Sequence, residues 1–310
     1  MALNYAEVWS PDLLEIMEQE SLTSPFVTTA VKWLSAKTFH FTQMSTSGYK
    51  SHSRLGGWNK GTFAQTDVPF TLTHDRDISF LVDKIDVDET NETASIKNIS
   101  EVFHKTQQIP EMDAYFYSKV ATEAQKLNGY HSSTALSSYT KENVYGKLKA
   151  MLSAGKLRRY VAKGALIAYV NSTIMDLLEQ STDFTRKIEM TQIAEGGIGI
   201  ETRITDIDGV TLIEVIDDER FYDKFDFTDG FAPVASTSHK INVLIASPLT
   251  VKTVPKIASI YYFNPGQHTE GDGYLYQDRS LSDTFVFPNG KDNKIDSIYV
   301  DVDTATYTAE

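Results

Sequence analysis

The chain is 310 residues long, 41% hydrophobic and 23% charged, with a net charge of −13 and no cysteine. That length can bury a large core or divide into about two or three domains. The composition excludes disulfides, thiolate metal sites and cysteine nucleophiles, and it fits synthesis in a reducing cytosol. No apolar run approaches the ~18 residues of a membrane span. The start of the chain lacks the basic-then-apolar pattern of a secretory signal, so the N-x-S/T matches at Asn91, Asn98 and Asn171 read as chance. The acidic balance argues against a protein whose main task is gripping DNA or RNA, which needs a basic face. It suits a protein that lies beside nucleic acid without sticking to it.

Residues 1–30 start with a short helix around Leu13–Glu18, and Thr23, Ser24 and Pro25 then break the pattern. This reads as an arm with little core of its own. Val31–Met44 is strand-like, with Phe39 and Phe41 alternating with polar neighbours. Ser45–Phe63 is basic and rich in Gly and Ser. Thr66–Val87 is strand-like again through Val68, Phe70, Leu72, Phe80 and Val82, with a slip in phase before Ile85 and Val87. Long strands around a flexible tip make an extended hairpin over 31–90. Arms of roughly twelve to fifteen residues reach on the order of 40–50 Å at ~3.3 Å per residue. An isolated hairpin is marginal in water, so this one needs support, and another subunit can supply it.

Thr93–Thr106 reads as a short helix with Ile96, Ile99 and Phe103 on one face. Ile109–Gly129 predicts a rod of about 30 Å. Pro110 suits its first turn, Glu111 and Asp113 complement the positive end of the dipole, and Lys126 complements the other. Asn128-Gly129 is a stop signal. Met112, Phe116, Val120, Ala124 and Leu127 form its apolar face. After a polar turn over Tyr130–Tyr139, Thr140 caps a helix carrying Val144, Leu148, Met151 and Leu152, and Gly155 ends it. Residues 157–263 predict a mixed α and β domain around a central sheet. Its parts are a strand in Tyr160–Val170, a helix capped by Ser172 or Thr173, strands at Ile188–Ile193, Ile200–Ile207 and Val210–Ile216, and a doubly buried strand at Ile241–Ser247. Asp208-Gly209 signals a tight hairpin turn. Asn264–Gly273 reads as a loop and boundary, and Tyr274–Asp303 as strands that fold back on the earlier helices.

Charge is segregated. Ser21–Thr66 has no acid but carries Lys32, Lys37, Lys50, Arg54 and Lys60. Asp75–Glu92 sets seven acids against Arg76 and Lys84, and Asp206–Asp229 sets nine against Arg220 and Lys224. A charge run is ordinarily a solvated face, but opposite blocks on one chain also suit self-association. The hairpin tip supplies Lys50, Arg54, Leu55, Trp58, Lys60 and Phe63 as contact residues. Asp83, Asp86, Asp88 and Glu89 form the acidic counter-patch.

Motifs for chemistry are missing. Glu195–Ile200 has glycines without the G-x-G-x-x-G order or its strand-turn-helix setting. Asp83, Asp86, Asp88 and Glu89, or Asp206 and Asp208, could ligate calcium, but neither set has EF-hand spacing. The seven histidines include no H-E-x-x-H and no pair at i, i+4. No G-x-S-x-G occurs. No catalytic residue, metal or cofactor is expected.

The order of parts, and local texture at several points, resemble the major capsid protein of tailed bacteriophages, the Hong Kong 97-type shell fold that encapsulins share. Asp83-Lys-Ile-Asp-Val-Asp-Glu-Thr90 is similar to the acidic segment leading into that family's spine helix. Ile109-Pro-Glu-Met-Asp-Ala-Tyr115, with Ser118-Lys119-Val120-Ala121, resembles the start of that helix. Tyr276–Val286, with Arg279, Asp283, Phe285 and Val286, and then Ile298-Tyr299-Val300, resemble its closing strands. The resemblance implies an α+β fold with an N-terminal arm (1–30), an extended β-hairpin loop lying over a neighbour (31–90), a peripheral domain (91–156 and 264–310) holding the spine helix, and an axial domain (157–263). It implies pentamers and hexamers of this chain in a shell around DNA, scaffolding and portal partners, no membrane, and no enzymatic activity. With the chain starting directly at its arm, a separate scaffold protein is expected, or none. Some relatives cross-link a loop Lys to a neighbour's Asn. Lys50 and Lys60 lie in that region, without a motif marking a partner. The alternatives are an encapsulin-like nanocompartment and, in another class, a carbohydrate-binding or carbohydrate-acting protein, suggested by 11% aromatics and many acids.

Overall fold

A computed structural model describes residues 19–29, 37–52, 56, 58–85, 96–181, 188–190, 203–289 and 294–308. The helix expected around Leu13–Glu18 lies outside them. Residues 19–29 reach into the core, contrary to the expectation of an arm with little core of its own. Leu22 and Phe26 are buried, and the Phe26 ring sits 4.7 Å from that of Phe116. Burying one such side chain stabilises by about 1.5–3 kcal/mol.

Strand β1 (Thr38–Thr46) pairs antiparallel with β2 (Phe63–Thr71), Thr38 opposite Thr71 and Thr46 opposite Phe63. The second arm of the expected hairpin then changes partner. At Thr73 the amide and hydroxyl both donate to Asp283 Oδ2, each at 2.9 Å, and β3 (His74–Asp83) joins a different sheet. Even-numbered residues stay inward from Val68 to Val82. The slip at Ile85 marks the strand's end: the Ile85 amide donates to Asp83 Oδ1 at 2.8 Å and the backbone turns helical.

Two helices expected as separate form one run. Helix α1 (Ile96–Phe103) passes through a π-turn (His104–Gln108) into α2 (Ile109–Gln125). Pro110 gives the reason. It has no N–H to donate, and in a regular helix its ring would press on the carbonyl four residues earlier. The wider turn, in which the Ile109 amide reaches His104 O, relieves that crowding. The inward face of α2 is also rotated from the expected one. Phe116, Val120 and Ala124 are buried as expected, but Met112 is exposed, and Asp113, Tyr117 and Ala121 take the inner positions. Gly129, at φ 81°, makes the turn after the helix.

Strand β4 (His131–Ser133) leads to α3 (Val144–Leu152), which buries the four apolar residues expected of it. Within Tyr160–Val170 a short α4 (Arg158–Val161) comes before β5 (Ile167–Asn171), so only the second half is strand. Helix α5 (Ser172–Glu179) is capped by Asn171, whose Oδ1 accepts from the Thr173 amide, and not by Ser172 or Thr173. Then come β6 (Ile188–Met190), β7 (Arg203–Ile207) and β8 (Val210–Val215). Asp208 and Gly209, at φ 52° and 79°, form the tight turn that their sequence signals. The rest is β9 (Phe225–Asp226), β10 (Ala232–Pro233), β11 (His239–Ala246), β12 (Val251–Phe263), β13 (Gly273–Val286) and β14 (Ile298–Thr306).

The large sheet has seven strands in the order β4-β14-β11-β5-β8-β7-β6. Strand β11 lies inside it, and its side chains divide between two cores. Ile241, Leu244 and Ala246 face α2, together with Tyr169, Val215 and Val300. Val243 and Ile245 face α3 and α5, where Leu148, Met151, Ile174 and Leu178 pack. A small sheet, β12-β13-β3, stands apart. Strand β12 falls within residues 157–263 yet leaves the central sheet for this one, while the C-terminal β14 enters the central sheet beside β11. The stretch 264–272, expected as a boundary, is the tip of the long β12–β13 hairpin.

Candidate assembly surface

The root of the β1–β2 hairpin is anchored by aromatic packing. Phe39 and Leu72 bury against Val254, Leu281, Phe285 and Phe287. The Phe39 ring lies 5.2 Å from Phe285, and the Phe70 ring 5.1 Å from Phe287. Asp75 ties the root further, accepting from Lys37 at 3.1 Å and from Arg279 at 3.1 and 3.0 Å, and the bonds from Arg279 and Lys37 hold its pKa at about 2.

Beyond the root that support stops. Every residue between Met44 and Gln65 whose burial is described is exposed. Tyr49 and Trp58 are essentially fully exposed, and Phe63 is 74% exposed. Nine-residue arms span about 30 Å, shorter than expected because β2 ends at Thr71. The tip is held by a few bonds, among them Ser47 N to Thr62 O at 2.8 Å and Asn59 Nδ2 to Ser51 O at 2.8 Å. Lys50 and Lys60 are exposed. Arg54 and Leu55 lie outside the described residues, as do Asp86, Asp88 and Glu89 of the expected counter-patch. Asp83 is exposed at the far end of β3, opposite Gly273 of β13.

The acidic run Asp206–Asp229, read from sequence as a solvated or steering face, is in good part consumed inside the fold. Asp217 accepts from Arg220 at 2.5 Å and from the Gln19 amide at 2.8 Å. Asp223 accepts from Gln125 at 2.8 Å and from the His239 amide at 2.6 Å, and Asp218 pairs with Lys240. Arg220 is itself buried and donates to Asp113 Oδ2 at 3.2 Å and Gln19 O at 2.8 Å. Asp113 is equally buried and accepts from Ser21 Oγ, the Leu22 amide and Thr23 Oγ1. Burial raises its carboxyl above the ordinary value, and the Arg220 charge opposes this. This hub fastens the entering segment to α2. Sequence reasoning assigned Asp113 to the helix dipole. The signal it passed over is spacing, since Asp113 stands three, four and seven residues before Phe116, Tyr117 and Val120 on the buried face.

A groove of about 580 Å³ runs between β3, the start of α2 and the loop around Thr228–Gly230. Several of its polar groups are tied across it. Arg76 pairs with Glu111 at 2.6 Å and donates to the carbonyls of Phe227 and Gly230. Asp278 accepts from Gln108 at 3.2 Å. His74 stacks on Tyr115 at 3.9 Å, and burial, with Arg76 adding to it, lowers its pKa to about 4. The groove is a brace between strand, helix and loop. Among the described residues no three His, Cys, Asp or Glu side chains gather as metal ligands.

No protein-family model and no curated relative match the chain. Solved structures do match it. The mature capsid of bacteriophage PhiM1 aligns over 97% of this chain and 92% of its own, at 12% identity and a TM-score of 0.64. The capsid of Ralstonia phage GP4 aligns over 100% and 98%, at 9% identity and 0.61. The capsid of cyanophage P-SCSP1u aligns over 98% and 94%, at 10% identity and 0.61. The fold is that of phage capsid proteins. At such identities the capsid fold is shared through the order and packing of its elements, with few side chains in common. It extends over nearly the whole chain, so the exposed hairpin lies within the shared span.

Proposed function

We propose that this chain is a major capsid protein of the tailed-phage type, which self-assembles into the icosahedral head shell enclosing viral double-stranded DNA. What supports this reading is a capsid fold over nearly the whole chain, combined with a hairpin whose tip leaves Tyr49, Trp58 and Phe63 exposed among the described residues. In this reading residues 1–30 are the N-terminal arm and the β1–β2 hairpin is the extended loop; β3, α2 and the β12–β13 hairpin belong to the peripheral domain, and the seven-stranded sheet, with the C-terminal β14, to the axial domain.

The mechanism is assembly, with no catalytic step. Each subunit lays its hairpin on a neighbour, and such head-to-tail contacts close by rotation into pentamers and hexamers. Leu55, Trp58 and Phe63 supply desolvated contact, while Lys50, Arg54 and Lys60 supply steering toward acids including Asp83, Asp86, Asp88 and Glu89. The overall charge of −13 keeps the inner wall from adhering to packaged DNA. Scaffolding and portal proteins are the further partners. The product is a virion component made in the host cytoplasm.

Negative-stain electron microscopy and light scattering of the expressed protein test this. Closed shells or rings are expected. A stable monomer across concentration and salt would overturn the reading, and enzyme cargo in place of DNA inside native shells would move it to an encapsulin-like compartment.

A further inference from the structure

The β12–β13 hairpin ends in a second tip, and its charge is opposite to that of the first. Glu270 and Asp272 are exposed in its turn. The ladder sets Gly273 opposite Asp83, so these three acids collect at one end of the small sheet, with Lys84 next to Asp83. Large apolar side chains stand exposed beside them: Leu81 at 48%, Tyr261 at 54% and Ile85 at 64%. Leu81 and Tyr261 share one face. Leu81 pairs with Leu275, Tyr261 pairs with Gln277, and Leu275 and Gln277 point to the same side of β13. The turn passes close over this face, where a Cβ on Gly271 would lie 3.1 Å from Leu81. Such a patch, apolar in the middle and acidic at the rim, has the make-up of an interface.

The hairpin tip around Lys50, Trp58 and Lys60 is its complement, basic with exposed aromatic rings. Within one chain the two do not meet, since Trp58 and Tyr49 on one side and Leu81 and Tyr261 on the other all remain exposed. We propose that the far end of the small sheet, formed by Leu81, Asp83, Tyr261, Glu270 and Asp272, is the seat for the β1–β2 tip of a second copy of this chain. The proposal rests on the assembly reading and assigns one of its contacts. Trp58 covers Leu81 and Tyr261, while Lys50 and Lys60 meet the acids.

Charge exchange tests it. Lys50, Lys60, Glu270 and Asp272 make no side-chain hydrogen bond or ion pair among the described residues, so reversing them leaves the fold intact, as circular dichroism will confirm. A tip variant (Lys50→Glu with Lys60→Glu) and a seat variant (Glu270→Lys with Asp272→Lys) are each expected to lower the yield of sedimenting shells by about tenfold or more. All four changes on one chain are expected to restore assembly, because every contact is then between opposite charges. Variants that assemble like the unaltered protein, or a quadruple variant that fails to recover, would refute this seat while leaving the assembly reading standing. An unaltered protein that never assembles would refute both.

Discussion

Replacing Arg220 with Met tests the buried hub most directly. The side chain is 1% exposed and bonds to Asp113, Asp217 and Gln19 O. Met fills much of the same volume and removes only the charge and its donors. Asp113 is then left fully buried with three neutral donors and no counter-charge. Breaking such a pair from one side costs about 3–5 kcal/mol, a large share of the ~5–15 kcal/mol by which folded chains are stable. Urea unfolding followed by circular dichroism measures the loss. The pH dependence supplies a second reading. Burial raises the folded Asp113 above its ordinary 3.8, so its contribution to stability is intact below that value and is lost as pH rises through the folded pKa. Arg220→Met removes the main opposing influence and raises the folded value further. The deficit relative to the unaltered protein is therefore greatest near neutral pH and shrinks on acidification. The double variant Asp113→Leu with Arg220→Met should cost less than the two single changes together. A single-variant loss below about 1 kcal/mol, with no pH dependence, would show that the pair does not hold the entering segment.

Trp58→Ala should leave urea stability within about 0.5 kcal/mol of the unaltered protein, because the ring is exposed, yet it should sharply reduce shell yield on electron microscopy. Gly273→Ala should destabilise by about 1–3 kcal/mol in the same unfolding assay, because its Cβ would stand 2.2 Å from the Val82 carbonyl and force β13 off β3. His74 has a folded pKa of about 4, below its ordinary 6.5. The unfolded state then takes up the proton first, and stability falls as pH drops from 6.5 toward 4. His74→Phe should flatten that part of the stability curve measured by thermal unfolding. Ala124→Pro places a ring in the last turn of α2, where the residue is fully buried. It should cost about 3 kcal/mol or more and abolish assembly, and soluble folded variant still forming normal shells would refute the strut role of that helix.

Much of the fold was legible because periodicity and turn chemistry act locally. The Asp208-Gly209 turn, the doubly buried β11 and the inward face of α3 each arise from a few neighbouring residues. What sequence could not supply was partnership. The alternation from Val68 to Val82 runs unbroken through Thr73, yet the strand leaves β2's hairpin for β13 because Asp283, distant in sequence, accepts Thr73's donors. The π-turn before Pro110 likewise comes from continuing α1 into α2, which requires packing on both sides. The exposed hairpin tip was readable from its Gly, Ser and Lys content. The acids of 206–229 looked like a surface run because Gln19, Gln125, Lys240 and the His239 amide meet them only in the folded chain.

The tie points of α2 give one helix a part in folding and, on the proposed reading, in assembly. Its first turn holds Arg76 of β3 through Glu111, and Asp113 holds the entering segment and Arg220. Tyr115 donates to Asp283 of β13 at 2.8 Å, and Gln125 reaches Asp223 at 2.8 Å. Between these ties, Phe116, Val120 and Ala124 pack on the large sheet. The small sheet and the hairpin root are thus referenced to the large sheet through the same rigid element. A change that tilts α2 moves both hairpin tips relative to the body even where neither is touched. A neighbour requires tip and seat to arrive together, so assembly should fail at smaller distortions than folding does.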